Sequence, residues 1–91
     1  MEFAWDEAKN VSNQKKHKVD FLEATECFFD PDGIELSDTK HSGKESRFYW
    51  VGKSAKGRVL TVWYTKRGNI IRIIGVAEWR KMRKIYETAK L

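Results

Sequence analysis

The chain holds one cysteine, one proline and two histidines in 91 residues. A single thiol, Cys27, has no partner for an internal disulfide, and no Cys/His set at zinc spacing accompanies it. A disulfide scaffold and a structural zinc site are thereby excluded, and a metal-free protein without cofactor is expected. No run of about eighteen apolar residues is present, so no membrane-spanning helix is expected. The opening residues Met1 to Asp6 lack the basic and apolar regions of an export signal, which points to the cytoplasm. Acid is scarce in the second half. Residues 46–91 carry only Glu78 and Glu87 against twelve Lys and Arg, whereas residues 1–45 carry eleven acids against six Lys.

What remains is enough for one domain spanning 1–91, near the small end of what holds a core unaided. Apolar residues make up 41% and charged residues 34%, a folded chain with a well-solvated surface. A second half so rich in cations is an electrostatic footprint suited to a polyanion. The alternative is that the two halves neutralise each other in space.

The stretch from Arg58 to Val76 organises the rest. Two runs rich in β-branched and aromatic residues flank Arg67-Gly68-Asn69, the pattern of an antiparallel hairpin. With the turn at Arg67 and Gly68, the period of two puts Leu60, Val62, Tyr64, Ile71 and Ile73 on a core face. Thr61, Trp63, Thr65, Ile70, Arg72 and Ile74 fall on the other face, which mixes bulk with hydroxyls and a cation. Arg47 to Lys53 reads as a third strand. A three-residue turn near Ala55 would set Arg47 and Tyr49 beside Thr61 and Trp63. Ile34-Glu35-Leu36 reads as a short strand, and Ser37 to Lys44 as a polar loop. Phe3-Ala4-Trp5 is either an edge strand or an anchor on the core.

Asp6 reads as the N-cap of a polar helix over Lys9 to Lys16. Asp20 reads as the N-cap of a second helix, with Phe21, Ala24, Cys27 and Phe28 at helical spacing and Glu23 as the capping-box partner. Pro31 and Gly33 end it. Beyond Ala77, the spacing of Trp79, Met82, Ile85, Tyr86 and Ala89 predicts a closing helix with Arg80, Lys81, Arg83 and Lys84 on its other side. The expected architecture is α+β: two N-terminal helices, an antiparallel sheet of three to four main strands, and a C-terminal helix.

Phe3-x-Trp5-Asp6-Glu7-Ala8-Lys9-Asn10-x-x-Asn13-x-x-Lys16-His17-x-Val19-x-Phe21-x-x-Ala24 resembles the opening of the BrnT family of bacterial toxins. His41-Ser42-x-x-Glu45-x-Arg47, Gly52, Arg58-Val59-Leu60 and Arg72-Ile73-Ile74 resemble the rest of its pattern. The resemblance implies a RelE-like ribonuclease of a type II toxin–antitoxin pair, one that inhibits translation by cleaving messenger RNA, with or without the ribosome. It implies as partner a ribbon-helix-helix antitoxin, through which alone the complex would meet DNA. Where most members continue with Ser-Ala-Arg, this chain has Gly75-Val76-Ala77. The alternative reading is therefore a catalytically degenerate homologue that binds RNA or antitoxin without cutting. A DNA-binding domain in its own right is a weaker third, since no helix-turn-helix pattern is visible.

Internal RNA cleavage needs a group to take the 2′-hydroxyl proton, cations to stabilise the phosphorane, and an acid for the leaving oxygen. The resemblance implies that Arg, Lys and Tyr share this work with His. The catalytic candidates are Arg72, Arg47, Arg80, Lys81, His41 and Tyr64; the RNA-binding candidates are Arg58, Trp63, Arg67 and Tyr49. Arg72 is the most pointed, because a guanidinium in mid-strand is costly unless it faces a ligand or a carboxylate. Its alternative is an architectural pair with Glu45 or Glu78. His41 is either a catalytic loop residue or an orderer of the Glu45 region. His17, at a helix C-terminus, reads mainly as a cap. Trp79, Met82 and Tyr86 read as core or antitoxin contacts.

Overall fold

A two-residue loop, Gly68-Asn69, closes the central hairpin, with Arg67 paired to Ile70. Gly68 sits at φ +59°, the left-handed region that the first position of a type II′ turn reserves for glycine. The loop thus lies one residue beyond the expected turn. The computed structural model describes residues 1–91. In chain order the elements are β1 (Glu2–Ala4), α1 (Glu7–His17), α2 (Phe21–Cys27), β2 (Ile34–Asp38), β3 (Arg47–Lys53), β4 (Val59–Arg67), β5 (Ile70–Ala77) and α3 (Arg80–Ala89).

The strands form one sheet in the order β1-β5-β4-β3-β2. Three to four antiparallel strands were expected; there are five, and the sheet is mixed. The extra member is β1, which pairs parallel to β5 with Phe3 opposite Ile71. A three-residue strand carries too little periodicity to be separated from an apolar anchor by sequence. The other pairings are antiparallel. Ser54 N–H donates to the Arg58 carbonyl, so Ala55-Lys56-Gly57 is the three-residue turn expected between β3 and β4. It brings Tyr49 opposite Trp63 and Arg47 opposite Thr65.

A bulge between Trp63 and Tyr64 resets the β4–β5 pairing. Tyr64 faces Ile73 and Trp63 faces Gly75, leaving Ile74 as the extra residue. Without it, the period of two would turn Gly75 to the core and Val76 outward. With it, Val76 is fully buried opposite Val62.

One face of the sheet packs on α2. Its core holds Phe21, Ala24, Cys27 and Phe28 against Leu60, Val62, Tyr64, Ile73 and Val76. Each such large side chain, fully buried, contributes roughly 1.5–3 kcal/mol. Cys27 lies wholly inside, where burial pushes its thiol up to about 12, so it serves as a small hydrophobe. On the opposite face α3 seats Tyr86 and Met82 over Val51, Val59 and Ile34, covering one end only. Helices therefore flank both faces, and half of the second face stays open.

The caps fall where the sequence puts them. Asp6 accepts from Ala8 N–H at 2.9 Å, and Asp20 from Glu23 N–H at 2.8 Å. The Glu23 side chain does not return to Asp20, however; it is buried against Arg58 and Ser54. Two asparagines of α1 tie that polar helix down. Asn13 donates to the Val19 and Val76 carbonyls and accepts from Val76 N–H, at 2.9 to 3.1 Å. It thus pairs the edge of β5 beyond the reach of β1. Asn10 accepts from Phe21 N–H at 2.9 Å, fixing the start of α2.

Candidate functional site

The open half of the second face is bordered by α1 on one side and by the loop from β2 to β3 on the other. Three adjoining concavities cross it. The largest, about 520 Å³, is lined by Lys9, His41, Lys44, Arg47, Arg67 and Arg72 among others. A second lies between α1 and Trp63, and a third between Asp38, Tyr49 and Trp79.

Arg47, Thr65 and Arg72 form one row across β3, β4 and β5. Neighbouring strands are about 4.8 Å apart, so the two arginines rise roughly 10 Å from each other with Thr65 between them. Neither guanidinium makes a hydrogen bond or ion pair. Of the two acids open to Arg72, Glu45 is held by Arg67 in a two-pronged pair, Nε–Oε2 at 2.8 Å and Nη2–Oε1 at 3.1 Å. Glu78 lies 3.9 Å from Arg58 instead. The architectural pairing open to Arg72 is thus not made. Between the two cations, the buried Thr65 hydroxyl has no hydrogen-bond partner.

His41 belongs to the same concavity and is the best-oriented group in it. Its Nδ1 lies 3.0 and 3.1 Å from the two Asp38 oxygens, and its backbone N–H also reaches Asp38. Asp38 is 7% exposed. Burial works to raise its pKa, but the hydrogen bonds from the His41 ring and backbone outweigh this and hold the carboxyl below its ordinary range. An ionised Asp38 fixes the proton on His41 Nδ1 and leaves Nε2 free for a ligand. The Ser42 hydroxyl donates to the Asp38 carbonyl at 2.8 Å and accepts from Arg47 N–H at 2.9 Å, so the loop is locked onto β3.

Aromatic rings stand beside these groups. Trp63 stacks on Trp79 with centroids 5.0 Å apart and planes 11° apart. His17 meets Trp63 edge-on at 5.9 Å, and Tyr49 meets Trp79 at 6.3 Å. Trp63 lies so close over Gly75 that a Cβ there would be 2.1 Å from its ring. Any other residue at Gly75 would push the indole away.

The remaining candidates lie elsewhere. Tyr64 is buried on the α2 face, where its hydroxyl donates to Glu35; burial and that carboxylate push its pKa up. Arg58 is bonded to Glu23 through Nε at 3.0 Å and through Nη2. Arg80 and Lys81 are exposed on the first turn of α3 and line none of the three concavities. The fold brings together Arg72, Arg47, His41, Arg67, Trp63 and Tyr49. Sequence reasoning missed Asp38, Lys9 and Trp79 as members. A carboxylate three residues before a loop histidine was the available signal for Asp38.

The model of the family described as "Ribonuclease toxin, BrnT, of type II toxin-antitoxin system" matches residues 5–84. The chain belongs to this family. Among solved structures, it resembles the Brucella abortus ribonuclease toxin BrnT with a TM-score of 0.66, at 18% identity over 87% of this chain and 96% of that one. At that identity the likeness shows the BrnT fold. No curated protein matches the chain. Membership in a type II toxin–antitoxin family makes the chain a toxin with an antitoxin for its partner. In this BrnT-family toxin, Gly75-Val76-Ala77 places the Trp63 ring over Gly75 and buries Ala77, so no hydroxyl or guanidinium projects there.

Proposed function

We propose that this toxin cleaves single-stranded RNA at the concavity between Arg47, Arg72 and His41, and inhibits translation by doing so on messenger RNA. The observation that carries the reading is the row of two unpaired guanidiniums beside an imidazole held by a buried carboxylate. Unpaired cations in a concave site are a phosphate-binding arrangement, and arginine forks match phosphate oxygens two at a time.

The chemistry follows from the groups present. His41 Nε2 takes the proton of the 2′-hydroxyl, and the 2′ oxygen forms a bond to phosphorus. Arg47 and Arg72 stabilise the charge that builds on the non-bridging oxygens. The bond from phosphorus to the 5′ oxygen breaks, and the imidazolium returns its proton to that oxygen. The products are a 2′,3′-cyclic phosphate and a 5′-hydroxyl. Lys9, Lys44 and Arg67 would draw the strand in, with Arg80 and Lys81 extending the positive field beyond α3. The route as written draws on these side chains alone. The antitoxin, read as a ribbon-helix-helix protein, would cover the basic face and carry the complex to DNA. The reaction belongs in the cytoplasm, where messenger RNA is translated.

Incubating the purified protein with single-stranded RNA in the presence of a chelator tests the reading. Discrete cuts bearing 2′,3′-cyclic phosphate ends are expected. Intact RNA under tight binding would instead favour the second reading, a toxin homologue that binds without cutting. What favours that alternative is the missing hydroxyl and guanidinium at Gly75-Val76-Ala77.

A further inference from the structure

Trp79 is an unusual residue for its position. It is the N-cap of α3, where Ser, Thr, Asp or Asn would bond the free N–H groups, yet its side chain makes no capping bond. It is also 38% exposed, a large ring left partly in solvent. Its place is set by stacking on Trp63, which in turn is seated over Gly75. The sequence departure at Gly75 and the paired indoles are one feature.

Trp63, Trp79 and Tyr49 wall a concavity of about 170 Å³ whose other lining residues are Asp38, His41 and Arg47. His41 and Arg47 also line the large basic concavity. A phosphate held at that shared boundary places the attached nucleoside within reach of the aromatic walls. Of the polar groups inside, Asp38 is already engaged by His41, and Arg47 and His41 are assigned to the phosphate. Trp63 lies between Gly75 and Trp79, so Trp79, 38% exposed, is the ring left for a base to stack on, and such stacking tolerates any base.

We propose that this pocket holds one unpaired nucleobase, stacked against Trp79, next to the phosphate bound at Arg47 and His41. A base within a duplex is stacked on both sides and cannot enter, so the pocket selects single strands. A purine should bind modestly better than a pyrimidine because it stacks over a larger area. The inference rests on the RNA-cleavage reading above.

The test uses a fluorescent oligoribonucleotide made uncleavable by 2′-deoxy substitution, and a set in which each residue in turn is abasic. Affinities are read by anisotropy at fixed salt. One abasic position should weaken wild-type binding about tenfold, equivalent to about 1.4 kcal/mol. Trp79→Ala should lose the same tenfold on the intact oligonucleotide and nothing further from that abasic position. Trp79→Phe should keep most of the affinity; with the wild-type abasic scan, it decides the matter even if the alanine variant fails to fold. Wild-type insensitivity to every abasic position, or a Trp79→Ala variant that binds like wild type, would overturn the subsite. If Arg72→Ala still weakens binding in that case, the RNA reading stands and only the base subsite falls. Failure of the wild type to bind any of the oligonucleotides would overturn both.

Discussion

Arg58, just before β4, and Arg72, within β5, should respond to alanine in opposite ways. Arg58 forms two hydrogen bonds to Glu23, which is 5% exposed and also accepts from the Ser54 hydroxyl at 2.7 Å. Removing one partner of a buried pair costs roughly 3–5 kcal/mol because the other charge is left uncompensated. Arg58 is 32% exposed, and Ser54 and Lys56 remain beside Glu23, so the low end applies, about 3 kcal/mol. For a domain of this size that is a fall in Tm of roughly 15 °C. The Arg58 guanidinium, aided by Ser54, outweighs burial and holds the Glu23 carboxyl below its ordinary range. A depressed folded-state pKa stabilises the protein above the unfolded value, about 4.3, and that stability is lost as pH falls through the folded value. The stability gap between wild type and Arg58→Ala should therefore be largest near neutrality and narrow in acid, as Glu23 becomes protonated in both. Urea unfolding across pH measures this. A gap that is absent, or that stays constant into acid, would refute the reasoning.

Three further outcomes are expected. Asp38→Asn should keep the fold but free the His41 tautomer, lowering RNA cleavage by about 10²-fold and altering its pH profile, read in single-turnover assays. Asn13→Ala leaves the Val76 N–H and the Val19 and Val76 carbonyls without their partner, and should cost about 3 kcal/mol in urea unfolding. Gly75→Ser adds a side chain that drives Trp63 from its seat. It should destabilise by about 1–3 kcal/mol and change the near-ultraviolet circular dichroism of the stacked indoles.

Local pattern carried much of this fold. The alternation in Arg58 to Val76 sorted Leu60, Val62 and Tyr64 from Trp63, Thr65 and Arg72, and the structure keeps that division. Capping chemistry located the starts of α1 and α2. What local pattern could not show was long-range pairing. Glu23 looked like a capping-box residue and Arg58 like an RNA contact, because nothing local joins two positions so far apart in sequence. The bulge at Trp63 and Tyr64 was equally hidden, since one inserted residue leaves the apolar alternation on either side intact. It is this bulge that turns Gly75, rather than the core, under Trp63. The Asp38–His41 contact was missed because the strand runs on to Asp38, two residues past Leu36, and its register with Arg47 closes the loop.

The most direct test of the central claim compares Arg72→Ala with wild type in two assays run side by side. Because Arg72 has no acid partner to strand, its loss should change stability by no more than about 0.5 kcal/mol. Because it stabilises developing phosphorane charge, RNA cleavage should slow by about 10²–10³-fold. A folded Arg72→Ala variant that cuts RNA at the wild-type rate would contradict the account.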